Sequence, residues 1–101
     1  MTSSRFSFDG TVWEHVGASA WFFISLPERI TDDIDEMFGH RAAGFGSLRV
    51  EVMIGDTTWK TSVFPDTKRG TFVLPIKKAV RVAEGLADGS VARVRLEVLA
   101  E

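Results

Sequence analysis

Two histidines, His15 and His40, and one serine in a glycine-rich segment are the residues that could support acid–base or nucleophilic chemistry. A hydrolytic triad needs a nucleophile, a base and an orienting acid within hydrogen-bond reach. Ser47 follows Gly44-Phe45-Gly46, but the G-x-S-x-G elbow is absent and no spacing brings either histidine to it. Glu36 and His40 are four residues apart and would share one face of a helix. A protein zinc site takes at least three ligands. The chain has no cysteine, and Gly39 interrupts the helix between the two. The acidic run Asp32-Asp33-Ile34-Asp35-Glu36 lacks the glycine and the spacing of a calcium loop. Gly44-Phe45-Gly46-Ser47-Leu48-Arg49 opens like a dinucleotide fingerprint, but its third glycine is Arg49 and it leads into a strand. No catalytic residue, metal ligand or cofactor is assigned.

Charge is distributed unevenly. Five acids and one arginine fall between Glu28 and Glu36, whereas Lys60, Lys68, Arg69, Lys77, Lys78 and Arg81 face Asp66 alone. Bases interleaved with Trp59, Phe64 and Phe72 would suit single-stranded nucleic acid if the rings were exposed. Trp59 alternates with Lys60 on a strand, however, which makes Trp59 a core residue and Lys60 an outward one. Arg81 follows an inward Val80 on a short helix. If that strand and that helix end at one barrel mouth, Lys60 and Arg81 converge on an anionic small molecule or a partner's carboxylate, where arginine offers a planar bidentate fork. Otherwise they lie on separate surfaces and pair with Glu51 or Glu84.

The elements that must position these residues follow from periodicity. Phe6, Phe8 and Val12 alternate with Ser7, Asp9 and Thr11, the period of a half-buried strand from Arg5 to Glu14. Gly10 in the inward row suggests a bulge or sharp coil. Ala20 to Leu26 is a second strand whose Trp21-Phe22-Phe23-Ile24 run reads as covered on both faces. After Pro27, Ile30, Ile34, Met37 and Phe38 fall on one face of a helix that Gly39 should end. Leu48 to Ile54 and Thr57 to Phe64 alternate around Gly55-Asp56, a type II′ hairpin that Pro65 should close. Thr71 to Ile76 is a fifth strand. Lys77 to Glu84 is a two-turn helix with Ile76, Val80 and Ala83 inward, and Arg93 to Val98 alternates as the last strand.

The order is therefore β-β-α-β-β-β-α-β, a mainly β fold with two short helices, and six short strands favour a closed barrel over a sandwich. Residues 1–101 suit one domain, and 45% apolar residues with three Trp and eight Phe supply a core without metal or disulfide. No repeat occurs at a solenoid period. No signal peptide precedes Arg5, and Ala20 to Leu26 is far too short to span a membrane. A soluble, cytoplasmic protein is expected. A net charge of −2 gives no general attraction to nucleic acid or anionic lipid.

Three segments stand out together: Trp59-Lys60-Thr61-Ser62-Val63-Phe64-Pro65, Leu74-Pro75-Ile76-Lys77-Lys78-Ala79-Val80-Arg81 and Gly85-Leu86-Ala87-Asp88-Gly89-Ser90-Val91. In this order and spacing they resemble the bacterial and archaeal family named domain of unknown function 1905. Trp21-Phe22-Phe23-Ile24-Ser25-Leu26-Pro27 and Gly44-Phe45-Gly46 fit the same pattern. The resemblance runs from Phe6 to Val98 and implies a double-split β-barrel, distantly like the barrels of transition-state-regulator and antitoxin DNA-binding domains. Relatives often carry a C-terminal domain of a bacteriocin-protection type. Ser90 departs from the aspartate usual after that glycine. The family has no agreed function.

The expected function is a non-enzymatic bacterial binding or interaction module for a small molecule or protein. Two alternatives stay open: a weak nucleic-acid-binding barrel, which the net charge opposes, and an anion-binding protein or enzyme using Lys60 and Arg81.

Overall fold

A computed structural model describes residues 4–17, 19–42 and 46–99. Six strands form a closed barrel in the order β1-β2-β5-β4-β3-β6, all neighbours antiparallel. They are β1 Arg5–His15, β2 Trp21–Ser25, β3 Leu48–Ile54, β4 Thr57–Asp66, β5 Thr71–Pro75 and β6 Val91–Val98. The helices are α1 Glu28–Phe38, continued by one 3-10 turn at Gly39–Arg41, and α2 Lys78–Glu84. No helix of the described residues is long and apolar enough to cross a membrane.

Two long strands change partners midway, and this splits the barrel into two sheets. β1 pairs with β6 up to Thr11 and with β2 from Val12 onward. β4 pairs with β3 up to Val63 and with β5 from Phe64 onward. Inward rows from all six strands meet Ile30 and Ile34 of α1 and Val80 of α2 in one core. Burying alternate apolar side chains in this way fixes the register, because a slip by one residue would turn each row outward.

The register also contains a pseudo-two-fold. Exchanging β1 with β4, β2 with β5 and β3 with β6 returns the same ring. Trp13, Glu14 and His15 pair with Phe23, Phe22 and Trp21 as Phe64, Pro65 and Asp66 pair with Val73, Phe72 and Thr71. The Leu26 amide donates to the Phe72 carbonyl at 2.9 Å, and the Ile76 amide donates to the Phe22 carbonyl at 2.8 Å. The pairs Ile24·Leu74 and Met53·Arg95 map onto themselves, so the dyad runs through them. Pro27 and Lys77 are the equivalent N-caps of α1 and α2, and Thr31 is the counterpart of Arg81.

Several local expectations are corrected. β2 is not covered on both faces: Trp21 is 56% exposed. Gly10 makes no bulge; it continues the β1–β6 ladder opposite Ala92 and lets Ile24 approach the backbone. Strand β4 continues through Pro65 to Asp66, since Pro65 stands where the chain switches from β3 to β5. Ala83 is exposed, and Leu86 packs against the core instead. Gly39 does end α1, as its C-cap, but keeps helical dihedrals, so the chain passes directly into the 3-10 turn.

Candidate functional site

The residues with catalytic potential do not converge. His15 is exposed on β1, opposite Trp21, while His40 is exposed on the 3-10 turn. Glu36 lies on α1, beyond which the helix tightens before His40. Among the described residues no group of three or more His, Asp or Glu is placed to hold a metal ion. Gly44 and Phe45 lie outside the described residues; Gly46 and Ser47 lead directly into β3.

Lys60 and Arg81 do meet. They line one cleft of about 640 Å³ between the start of β2, the outer side of β4, the end of β5 and α2. Lys77 and Lys78 line it as well, and among the described residues no Asp or Glu does. The walls are apolar: Trp21 and Phe22 from β2, Phe64 from β4, and Pro75 and Ile76 where β5 gives way to α2. The cleft opens because β4 leaves β5 above Phe64 to pair with β3, while β5 continues along β2.

Each cation is held differently. The Arg81 guanidinium lies over the Phe22 ring, 4.0 Å from its centroid, and Nη1 donates to the Ile76 carbonyl at 3.4 Å. That contact fixes the planar group while using one of its five N–H donors. Glu84 is not its partner; it accepts the Thr57 hydroxyl proton at 2.6 Å. Lys60 stands opposite Glu51 in the β3–β4 ladder without an ion pair to it. Among the described residues no carboxylate forms an ion pair with Lys60, Lys77, Lys78 or Arg81.

The pseudo-dyad provides an internal control. Counterparts of Lys60, Lys77, Lys78 and Arg81 in the first half are Asp9, Pro27, Glu28 and Thr31. Asp9 pairs with Arg93 at 3.3 Å across the equivalent ladder. Thr31 accepts a hydrogen bond from the Phe72 amide at 3.1 Å. The groove beside Thr31, about 280 Å³, carries Asp32, Asp35 and Asp66. The same backbone thus builds both surroundings, so positive charge in the cleft belongs to the side chains of the second half and is not a requirement of the barrel.

Phe64 also has an informative counterpart. Trp13 occupies the equivalent place, with its indole N–H donating to Ser25 Oγ at 2.9 Å and the Arg69 guanidinium 3.9 Å over its ring. Asp66 holds Arg69 there through Oδ2 at 2.8 Å, and Asp66 Oδ1 accepts the Lys68 and Arg69 amides. The Arg69 hydrogen bond, with the two amides, keeps the Asp66 carboxyl below the ordinary aspartate range against a smaller opposing effect of burial. In register, Ser19 precedes β2 where Arg69 precedes β5. A serine leaves Phe64 uncovered, and the ring is 41% exposed.

A further concavity carries charges of both signs. The depression over β1, β6 and β3, about 330 Å³, mixes Arg5, Arg95, Glu51 and Glu97, and Arg5 approaches Glu97 at 3.8 Å. Sequence reasoning missed Trp21 as a cleft residue because a four-residue apolar run looks like two-sided burial. The available signal was the small pair Ser19-Ala20 just before it, which cannot cover an indole.

No curated protein matches this sequence. The family model described as a domain of unknown function (DUF1905) matches residues 8–96, most of the chain, and with the six-stranded barrel in hand the chain belongs to that family.

Proposed function

We propose that this barrel is a non-enzymatic binding module that captures an organic anion in the cleft between β4 and α2. One observation carries the reading: Lys60, Lys77, Lys78 and Arg81 share an apolar-walled cleft to which no carboxylate of the described residues contributes. Cations gathered without carboxylate partners raise the local concentration of anions and leave most of their donors for a ligand. The volume falls in the range of small-molecule sites, roughly 300–1,000 Å³. Neither histidine lines the cleft.

The test is an NMR titration of the amide and arginine side-chain signals with benzoate, inorganic phosphate and a short single-stranded oligonucleotide. Saturable shifts at residues 60, 77, 78 and 81 with benzoate or phosphate are expected. Arg81→Gln should weaken binding about tenfold to a hundredfold, the value of a charge-assisted hydrogen bond. Absence of any shift at these residues overturns the reading. Sub-micromolar, steeply salt-dependent binding of the oligonucleotide would replace it with nucleic-acid binding.

A further inference from the structure

The geometry points to a narrower ligand class for this cleft: a small molecule in which a planar aromatic ring carries the carboxylate or phosphate. This inference rests on the anion reading above and adds the ring. Two aromatic side chains reach solvent at the cleft, Trp21 on β2 and Phe64 on β4. Aromatic rings grouped in a concave site with polar groups are what small-molecule sites are lined by.

Trp21 is held in position despite its exposure. Its ring is stacked on Phe23 with centroids 6.2 Å apart and planes 10° apart, and Phe23 packs on Trp13 at 5.0 Å. A row of rings thus fixes the indole before any ligand arrives. Arg81 is fixed in the same sense by Phe22. Two preset planar groups, one aromatic and one cationic, therefore stand at the same cleft. Ordering them costs a ligand little, which is where preorganised sites gain affinity.

The first half of the chain shows how the fold covers the counterpart position. There the ring of Trp13 is covered by Arg69. At the cleft, Phe64 replaces Trp13 and Ser19 replaces Arg69, so a flat aromatic surface is left open beside four cations. A ligand ring stacks on this surface while its acidic group reaches Arg81 and Lys60. Offset ring–ring contacts and a bidentate guanidinium–oxyanion pair select for this combination over either part alone. Carboxylate and phosphate share that chemistry.

The experiment is an NMR titration of the intact protein, read at the Trp21 indole N–H, with naphthoate, naphthyl phosphate, the saturated decalin carboxylate and neutral naphthalenemethanol. Naphthoate or naphthyl phosphate should bind about tenfold tighter than decalin carboxylate, and tighter than the alcohol by at least as much. The tighter of the two aromatic anions identifies the acidic group. Trp21→Leu should bring naphthoate to the level of decalin carboxylate, whereas Lys60→Gln should weaken both carboxylates alike. Phe64→Leu is a second variant in which the ring preference should shrink. Equal affinity for both carboxylates in the parent protein, still reduced by Lys60→Gln, overturns the ring and leaves the anion site standing. Equal affinity for naphthoate and the alcohol overturns the anion site itself.

Discussion

Glu84, the last residue of α2, accepts the hydroxyl proton of Thr57, the first residue of β4, at 2.6 Å. This bond ties the helix that carries Arg81 to the hairpin that carries Lys60. It also sets Glu84 directly over the Gly55-Asp56 turn, where a β-carbon on Gly55 would overlap the Glu84 carboxylate. Gly55 has φ +56°, in the left-handed region that side chains avoid. Gly55→Ala should therefore destabilise the fold by at least about 1–2 kcal/mol from the backbone alone. Urea unfolding checks it. Glu84→Gln should cost much less, since the amide oxygen still accepts from Thr57.

Trp59 is 9% exposed, opposite Val52, and belongs to the core shared by both sheets. Trp59→Ala should cost about 3–5 kcal/mol, the range for removing a buried ring. A thermal midpoint near that of the parent protein would contradict the packing described.

Gly10 has no room for a side chain, because an added β-carbon would run into Ile24 Cγ2. Ile24 is fully buried on the pseudo-dyad and has little freedom to yield. Gly10→Ala should destabilise by about 1–3 kcal/mol, the usual cost of overpacking. Chemical denaturation that left the midpoint unchanged would show that β2 moves aside.

Asp66 titrates below the ordinary aspartate range, chiefly because Arg69 hydrogen-bonds to it. A carboxyl with a depressed folded-state value stabilises the fold fully above the unfolded value. That contribution is lost as pH falls through the folded value. NMR titration should place the Asp66 midpoint below that of the unfolded chain, and Arg69→Ala should move it upward. The same variant should expose the Trp13 ring, read as a change in its indole signal.

Much of the barrel was legible because its signals are local. Leu48 to Ile54 and Thr57 to Phe64 alternate around a glycine turn, and the structure pairs them residue for residue as far as Val63, with Phe64 passing to β5. The family resemblance and the succession of strands and helices along the chain needed no long-range information. The sequence singles out Lys60, which faces oppositely to Trp59, and Arg81, which follows an inward Val80 on α2, but their meeting depends on where β4 leaves β5. That depends on tertiary packing and not on periodicity. The pseudo-dyad was illegible for a similar reason. Phe22 and Phe72 match, yet Ile24, Leu26 and Ile30 meet Leu74, Ile76 and Val80, and α1 has 11 residues against 7 in α2. Only shared burial relates the halves, and burial tolerates exchange among aliphatic side chains.

The dyad also bears on how the chain could be rewired. The Gly55-Asp56 turn is the covalent link between two equivalent halves, and Ile54 and Thr57 on either side of it stand as Leu96 and Phe6 do on the β1–β6 ladder. Connecting β6 to β1 by a short flexible linker and opening the chain between Gly55 and Asp56 would preserve all six ladders. Such a circular permutant should fold to the same barrel, with an amide spectrum that differs only near the old and new ends. The architecture then behaves as a fused dimer, in which one half can change its surface chemistry while the other keeps the pairing pattern intact.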